Sequence, residues 1–213
     1  MTSVRHKDLD TLDRPGRLDQ RGPEDAILDA AREALLAVGW RRTTLTDVAR
    51  RAGVSRMTLY RRWPDMGGLL GDLMTREWAA AMTRVTQESH AGGSLLEQVK
   101  HGVVHVARAI RDDELFAKII QVDPELLLPY LLERRGRSQE LVLVLLEPLL
   151  REGQQRSEIR AGDPALLART LLLTAQGFTL SVQTMTESGT AGTLTERDFE
   201  TELGVLVQRY LRP

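Results

Sequence analysis

Seven arginines, at positions 41, 42, 50, 51, 56, 61 and 62, crowd the stretch from Arg41 to Arg62, and a single acid, Asp47, stands among them. A local charge of +6 attracts anions. Guanidinium groups present the same fork of N–H donors to phosphate oxygens and to the acceptor edge of guanine. Hydroxyl side chains that can donate to phosphate, those of Thr44, Ser55, Thr58 and Tyr60, are interleaved with them. Catalytic chemistry has no comparable footing. The chain lacks a G-x-S-x-G elbow, an H-E-x-x-H pair, a phosphate loop and a Rossmann glycine pattern. It also has no cysteine, which removes disulfides, thiolate zinc sites and cysteine nucleophiles. His101 and His105, four apart on one helix face, are the strongest metal-type pair, but Glu97 is the one further ligand that local spacing offers. No metal, cofactor or enzymatic activity is expected.

The elements that must position the arginines are two short helices. Thr44 can cap the first, with Asp47 at its third position and Val48 and Ala49 as its apolar side, and Gly53 ends it. Ser55 can cap the second, with Leu59 turned inward and Arg56, Thr58, Arg61 and Arg62 turned outward or to the rim. Gly53 supplies a left-handed turn and Val54 fills the angle, as a helix-turn-helix requires. The spacing predicts helices over Leu45–Arg51 and Arg56–Arg62. Before them, Pro23 to Val38 carries an apolar stripe of Ile27, Ala31, Ala34, Leu35 and Val38, and Gly39 follows as terminator. Trp40 is read as a packing residue. With the recognition helix in a major groove, Arg56, Met57 and Thr58 lie nearest the base edges, and Arg42, Thr44 and Tyr60 are placed for phosphate. From charge and caps alone, two functions stay open: a DNA-reading head, or a basic hairpin by which a helical adaptor docks an acidic protein partner.

The ordered set Thr44, Val48, Ala49, Ala52, Gly53, Val54, Ser55, Leu59, Tyr60 and Trp63 closely resembles the DNA-binding signature of TetR-family transcriptional repressors. The resemblance implies an all-α protein with an N-terminal three-helix helix-turn-helix DNA-binding domain joined to a larger helical ligand-binding and dimerisation domain. It supports a Tyr60–phosphate contact and backbone contacts from the ends of the two short helices, which adds Ser55 and Arg61 to the phosphate set. Beyond the signature the chain departs from the family. Met66, Gly67 and Gly68 stand where a lysine and an acid are usual, so the customary lysine–phosphate contact is missing and the first turn of the next helix is weakened.

The rest of the chain fits such a plan. Of 213 residues, 42% are apolar and 28% charged, enough to bury a core, and aromatic residues make up only 4%, so the core must come from Leu, Ala and Val. Charge is polarised: residues 21–65 carry +3, residues 1–20 are neutral, and residues 66–213 carry -4. We divide the chain into a flexible arm (1–22) whose Arg14, Arg17 and Arg21 add phosphate or minor-groove contacts, a DNA-binding domain (23–65), and an effector-binding and dimerisation domain (66–213). Helices are expected from Met66 to about Ser89, over Leu95–Arg111, over Asp112–Val122 and Pro124–Arg135, over Arg137–Gly153 with a kink or break at Pro148, from Pro164 to about Met185, and over Leu194–Leu211. Glu187 to Thr193 is read as a loop.

Trp78, Met82, His101, His105, Phe116, Tyr130, Gln176 and Phe178 are the candidate lining of an effector pocket, whose occupant the leucine-rich surroundings make a small apolar or amphipathic molecule. The resemblance implies a homodimer paired through the last two helices, with Leu167, Leu171, Phe178, Val182, Phe199, Leu203, Leu206 and Tyr210 as candidate contacts. Double-stranded operator DNA is the expected partner. The first residues lack the apolar segment of a secretion signal, and the longest apolar runs, Leu141–Leu150 and Ala165–Ala175, are too short or too broken by charge for a bilayer, so a cytoplasmic location without membrane attachment is expected.

Overall fold

Caps and breakers in the chain become helix ends. The computed structural model describes residues 22–88, 93–189 and 192–213, so the expected arm over 1–22 lies outside the described residues except for Gly22. Pro23 takes the first position of α1 (Pro23–Val38), and the Asp25 carboxylate accepts from the Gly22 N–H at 3.1 Å. Gly39 ends the helix at φ 80°, a backbone that an L side chain resists. A 3-10 turn (Trp40–Arg42) leads to α2 (Leu45–Arg51), and Gly53, at φ 67°, turns the chain into α3 (Arg56–Arg62).

Asp65 opens α4 (Met66–Glu88) by accepting from the Gly68 N–H at 2.7 Å. A Cβ at residue 67 would lie 3.3 Å from that carboxylate, so the unusual glycine leaves room for the cap. Ser94 and Asp113 cap α5 (Leu95–Arg111) and α6 (Glu114–Val122). A 3-10 turn (Pro124–Leu126) and α7 (Leu128–Leu132) follow, shorter than the helix expected to reach Arg135. Next come α8 (Arg137–Gln155), α9 (Pro164–Met185) and, capped by Thr195, α10 (Glu196–Leu211).

Three details differ from the sequence reading. Of the kink or break expected at Pro148, the break does not occur: α8 runs continuously through it, losing one backbone donor on an exposed side. The segment read as a loop forms a small antiparallel pair, β1 (Glu187–Gly189) with β2 (Gly192–Leu194), in the register Glu187 to Leu194. And α9, at 22 residues, is long and apolar enough in length and composition to cross a membrane. One side of it lies against α8, α5 and α10, but only 22% of its apolar stretch is buried, and Leu166 and Leu173 stay exposed. Arg169 in its first turns also pairs with Glu147 of α8 at 3.2 Å.

Two cores result. The first joins α1, α2, Leu59 and Trp63 to Leu69, Leu70 and Leu73 of α4 and to Leu115 and Ile119 of α6, so packing crosses the boundary expected at residue 65. The second gathers α5, α8, α9 and α10 around Leu143, Leu150, Leu167 and Leu203. Seven residues are too few for α3 to be stable alone. Leu59, fully buried, and Trp63, 2% exposed, tie it to the first core. Each contributes about 1.5–3 kcal/mol of transfer free energy.

Candidate nucleic-acid interface and internal cavity

The short helices are fixed through their backbones. Thr44 Oγ1 accepts from the Asp47 N–H at 3.1 Å and donates to Asp47 Oδ2 at 2.6 Å. This bond to the threonine hydroxyl is the main reason the Asp47 carboxyl sits below the usual carboxylate range. Ser55 Oγ accepts from the Thr58 N–H at 3.1 Å and lies 2.8 Å from Thr58 Oγ1. One residue of α3, Leu59, is buried, which leaves six of its seven side chains facing outward.

The arginines divide into two groups. Arg50 pairs with Asp47 at 3.2 Å, and Arg41 with Glu125 at 2.7 Å. Arg62 reaches Glu24 of α1 at 2.8 Å and Asp72 of α4 at 3.4 Å, with its guanidinium 5.0 Å from the Trp63 ring centre. These three brace the fold. Arg42, Arg51, Arg56 and Arg61 have no acidic partner among the described residues, and Arg42 donates through Nε to the Val38 carbonyl at 2.9 Å. Of the candidate base contacts, Arg56 is exposed and unpaired, Met57 is 78% exposed, and Thr58 shares its hydroxyl with Ser55. Of the candidate phosphate contacts, Tyr60, 45% exposed, and Arg61 are free, whereas the hydroxyls of Thr44 and Ser55 are engaged in their caps. The outward face of α3 is therefore a strip of donors and one large apolar side chain with few partners among the described residues.

Behind this head lies a cavity of about 660 Å3 walled by α4 to α9. Trp78, Met82, Phe116, Tyr130 and Gln176 line it, and the first and third of these pack edge to face at 6.2 Å between ring centres. His101, His105 and Phe178 do not line it. The face of α5 turned to the cavity carries Gln98, Val99, Gly102, Val103, Val106, Ala107 and Ile110, and at about 100° per residue both histidines fall on the opposite side of the helix from the middle of that face. The two histidines instead stack on each other, 3.7 Å between ring centres, and no group of three potential metal ligands occurs among the described residues. Phe178 packs into the second core.

Several candidate dimer contacts are likewise occupied. Leu167, Leu171, Val182 and Leu203 are buried within the single chain, so they have almost no surface left for a partner. Outward on α9 and α10 stand Leu166, Leu173 and Leu206, which the sequence reading either passed over or, for Leu206, included. A helix that is apolar nearly all round does not reveal from sequence which face turns inward.

One carboxylate missed by the sequence reading links head and cavity. Asp72 accepts from Trp63 Nε1 at 2.8 Å, faces Arg62, and pairs with Arg137, a cavity-lining residue at the start of α8. A second link joins Asp123, buried between α6 and the following turn, to the Trp40 N–H at 2.9 Å.

A capped helix pair joined by a left-handed glycine, with a basic reading helix, defines a helix-turn-helix DNA-binding regulator. The profile of bacterial regulatory proteins of the tetR family matches residues 27–73. An uncharacterised helix-turn-helix transcriptional regulator of Mycobacterium bovis is 37% identical over 150 residues, 70% of this chain and 76% of its own length. Among solved structures, the TetR-family repressor QsdR of R. erythropolis superposes with a TM-score of 0.65 at 16% identity, over 90% of this chain and 96% of that one. The regulator FadR of Bacillus subtilis, solved with stearoyl-CoA, gives 0.60 at 18%, over 87% and 97%. The chain belongs to the TetR family. It is a helix-turn-helix transcriptional regulator rather than an enzyme.

Proposed function

We propose that the protein is a homodimeric repressor that holds operator DNA through α3 and leaves it when a small apolar or amphipathic molecule fills the cavity. The observation that carries this reading is the face of α3, where Arg56, Met57, Tyr60 and Arg61 point outward, the two arginines without an acidic partner among the described residues. In a groove, Arg56, Met57 and Thr58 meet base edges while Tyr60, Arg61 and Arg42 meet phosphate. Thr44 and Ser55, their hydroxyls taken by caps, contribute through the helix ends they shape. The head covers residues 23–65 and the effector and dimer unit 66–213, with operator binding in the cytoplasm where the DNA lies.

Dimerisation uses Leu166 and Leu173 of α9 and Leu206 of α10, together with the partly exposed Phe199 and Tyr210. These are apolar groups that one chain leaves in water. For the effector, the walls of the cavity are the support, since FadR shares the fold and its stearoyl-CoA is a property of that protein. A ligand that prefers the non-binding spacing of the two heads by about 2.7 kcal/mol shifts the state ratio a hundredfold.

Selection of genomic fragments on the purified protein, followed by footprinting, tests the reading. Tyr60→Phe should weaken binding across all sequences, and Arg56→Ala should relax discrimination at one base pair. Equal binding of every fragment by the wild type and by Arg56→Ala would remove the assignment of α3 as the reading helix.

A further inference from the structure

The cavity is mainly apolar, with Thr86, Gln98, Gln176 and Thr179 among its polar walls, and charged at one end. Its walls include Met82, Val103, Val106, Leu146 and Leu172, whereas Arg134, Arg135 and Arg137 all lie in the lining at the segment joining α7 to α8. The cations are not equivalent. Arg135 is matched by Glu140, and Arg137 by Asp72. Asp65, the acid in the same lining, is committed to the Gly68 N–H of its own helix cap. Arg134 makes no ion pair and no side-chain hydrogen bond among the described residues. Its guanidinium sits 5.3 Å from the ring centre of Tyr130, itself a lining residue. A Cβ on residue 136 would come within 3.0 Å of that ring, so Gly136 permits the Tyr130 position that carries Arg134. At about 660 Å3, the space falls within the roughly 300–1,000 Å3 of small-molecule sites.

We infer that the cavity takes an amphiphile with a single anionic group, its chain among the apolar walls and its anion at the rim against Arg134, with Arg137 alongside. This rests on the cavity being the effector site and names the class of molecule it selects. An anion at the rim gives Arg134, exposed and without an ion pair among the described residues, a charged acceptor, and competes with Asp72 for Arg137. The ligand's charge, not merely its bulk, thereby reaches the residue bonded to Trp63 at the end of the reading helix.

Calorimetric titration of the full chain with dodecanoate and, separately, with dodecanol tests this without DNA. Dodecanoate should bind about tenfold or more tightly than dodecanol, as a charge-assisted contact implies. Arg134→Gln should weaken dodecanoate far more than dodecanol, shrinking that preference to a few-fold or less, and Arg134→Lys should restore part of it. Gly102→Phe adds a side chain where no atom lies within 4 Å of the Cβ position, and should abolish binding of both.

The inference is overturned if the two bind alike, if neither binds, if dodecyltrimethylammonium binds more tightly than dodecanoate, if Arg134→Gln keeps the preference, or if Gly102→Phe binds as the wild type does. Failure of the effector reading looks different. Dodecanoate would then occupy the site as described while operator affinity stayed the same with and without a releasing ligand of any kind.

Discussion

Asp72→Asn is the perturbation that bears most directly on the joint between reading head and cavity. The carboxylate's two oxygens serve different partners: Oδ2 accepts from the buried Trp63 indole at 2.8 Å and faces Arg62 at 3.4 Å, and Oδ1 accepts from Arg137. An amide has one oxygen. Asparagine must turn it toward Trp63, 2% exposed, and face Arg137 with its own N–H donors. A hydrogen bond to a charged group contributes about 1.5–3 kcal/mol. Because the Arg137 side chain is 64% exposed and rehydrates, we discount the loss to about 1–2 kcal/mol. For a chain of this size that lowers Tm by about 2–8 °C in thermal denaturation followed by circular dichroism. Arg137→Gln breaks the same bond from the other side, so the double variant should lose little more than either single one. If the two single effects add to within ~0.3–0.5 kcal/mol, Asp72 and Arg137 do not interact and the joint is refuted.

Other substitutions separate roles that look alike in sequence. Leu173→Glu, at a position 70% exposed, should convert the proposed dimer to monomer in sedimentation with little change in monomer folding. Leu171→Ala, at a buried position two residues away, should instead destabilise the fold by about 2–5 kcal/mol. Thr44→Ala removes the cap of α2 and should cost about 1 kcal/mol of stability, measured by urea denaturation, with an accompanying loss of DNA affinity. Asp47 and Asp198, each held below the usual carboxylate range chiefly by its cap threonine, contribute stability that is complete above the carboxylate range. It is lost as the pH falls through their lowered values, so acid should fray α2 and α10, visible as faster amide exchange at those helix starts.

Legibility in the sequence followed the range of the interactions. Helices α1 and α2 begin and end, and α3 begins, where Pro23, Gly39, Thr44, Gly53 and Ser55 placed them, because capping is settled within three or four residues. Trp78, Met82, Phe116, Tyr130 and Gln176 could be assigned to a pocket because large side chains on helices of a leucine-rich body are its natural walls. His101 and His105 illustrate the limit: a four-residue spacing places them on one face without saying which neighbour that face meets. The same limit reversed part of α9, where Leu167 and Leu171 went inward and Leu166 and Leu173 outward. Asp72 gave no local signal at all. Its partners lie nine and 65 residues away, and only the tertiary packing of α4 against α8 brings them together.

The most direct test of the central claim is the footprint of the purified protein on a fragment selected from its own genome, measured at several salt concentrations. The account predicts two protected half-sites related by a dyad and centred about one helical turn, or a multiple of it, apart. Affinity should fall steeply as salt rises, and Arg56→Ala should blur one base position in each half-site. Absence of duplex binding at low salt, or a protected region without dyad symmetry, would contradict it.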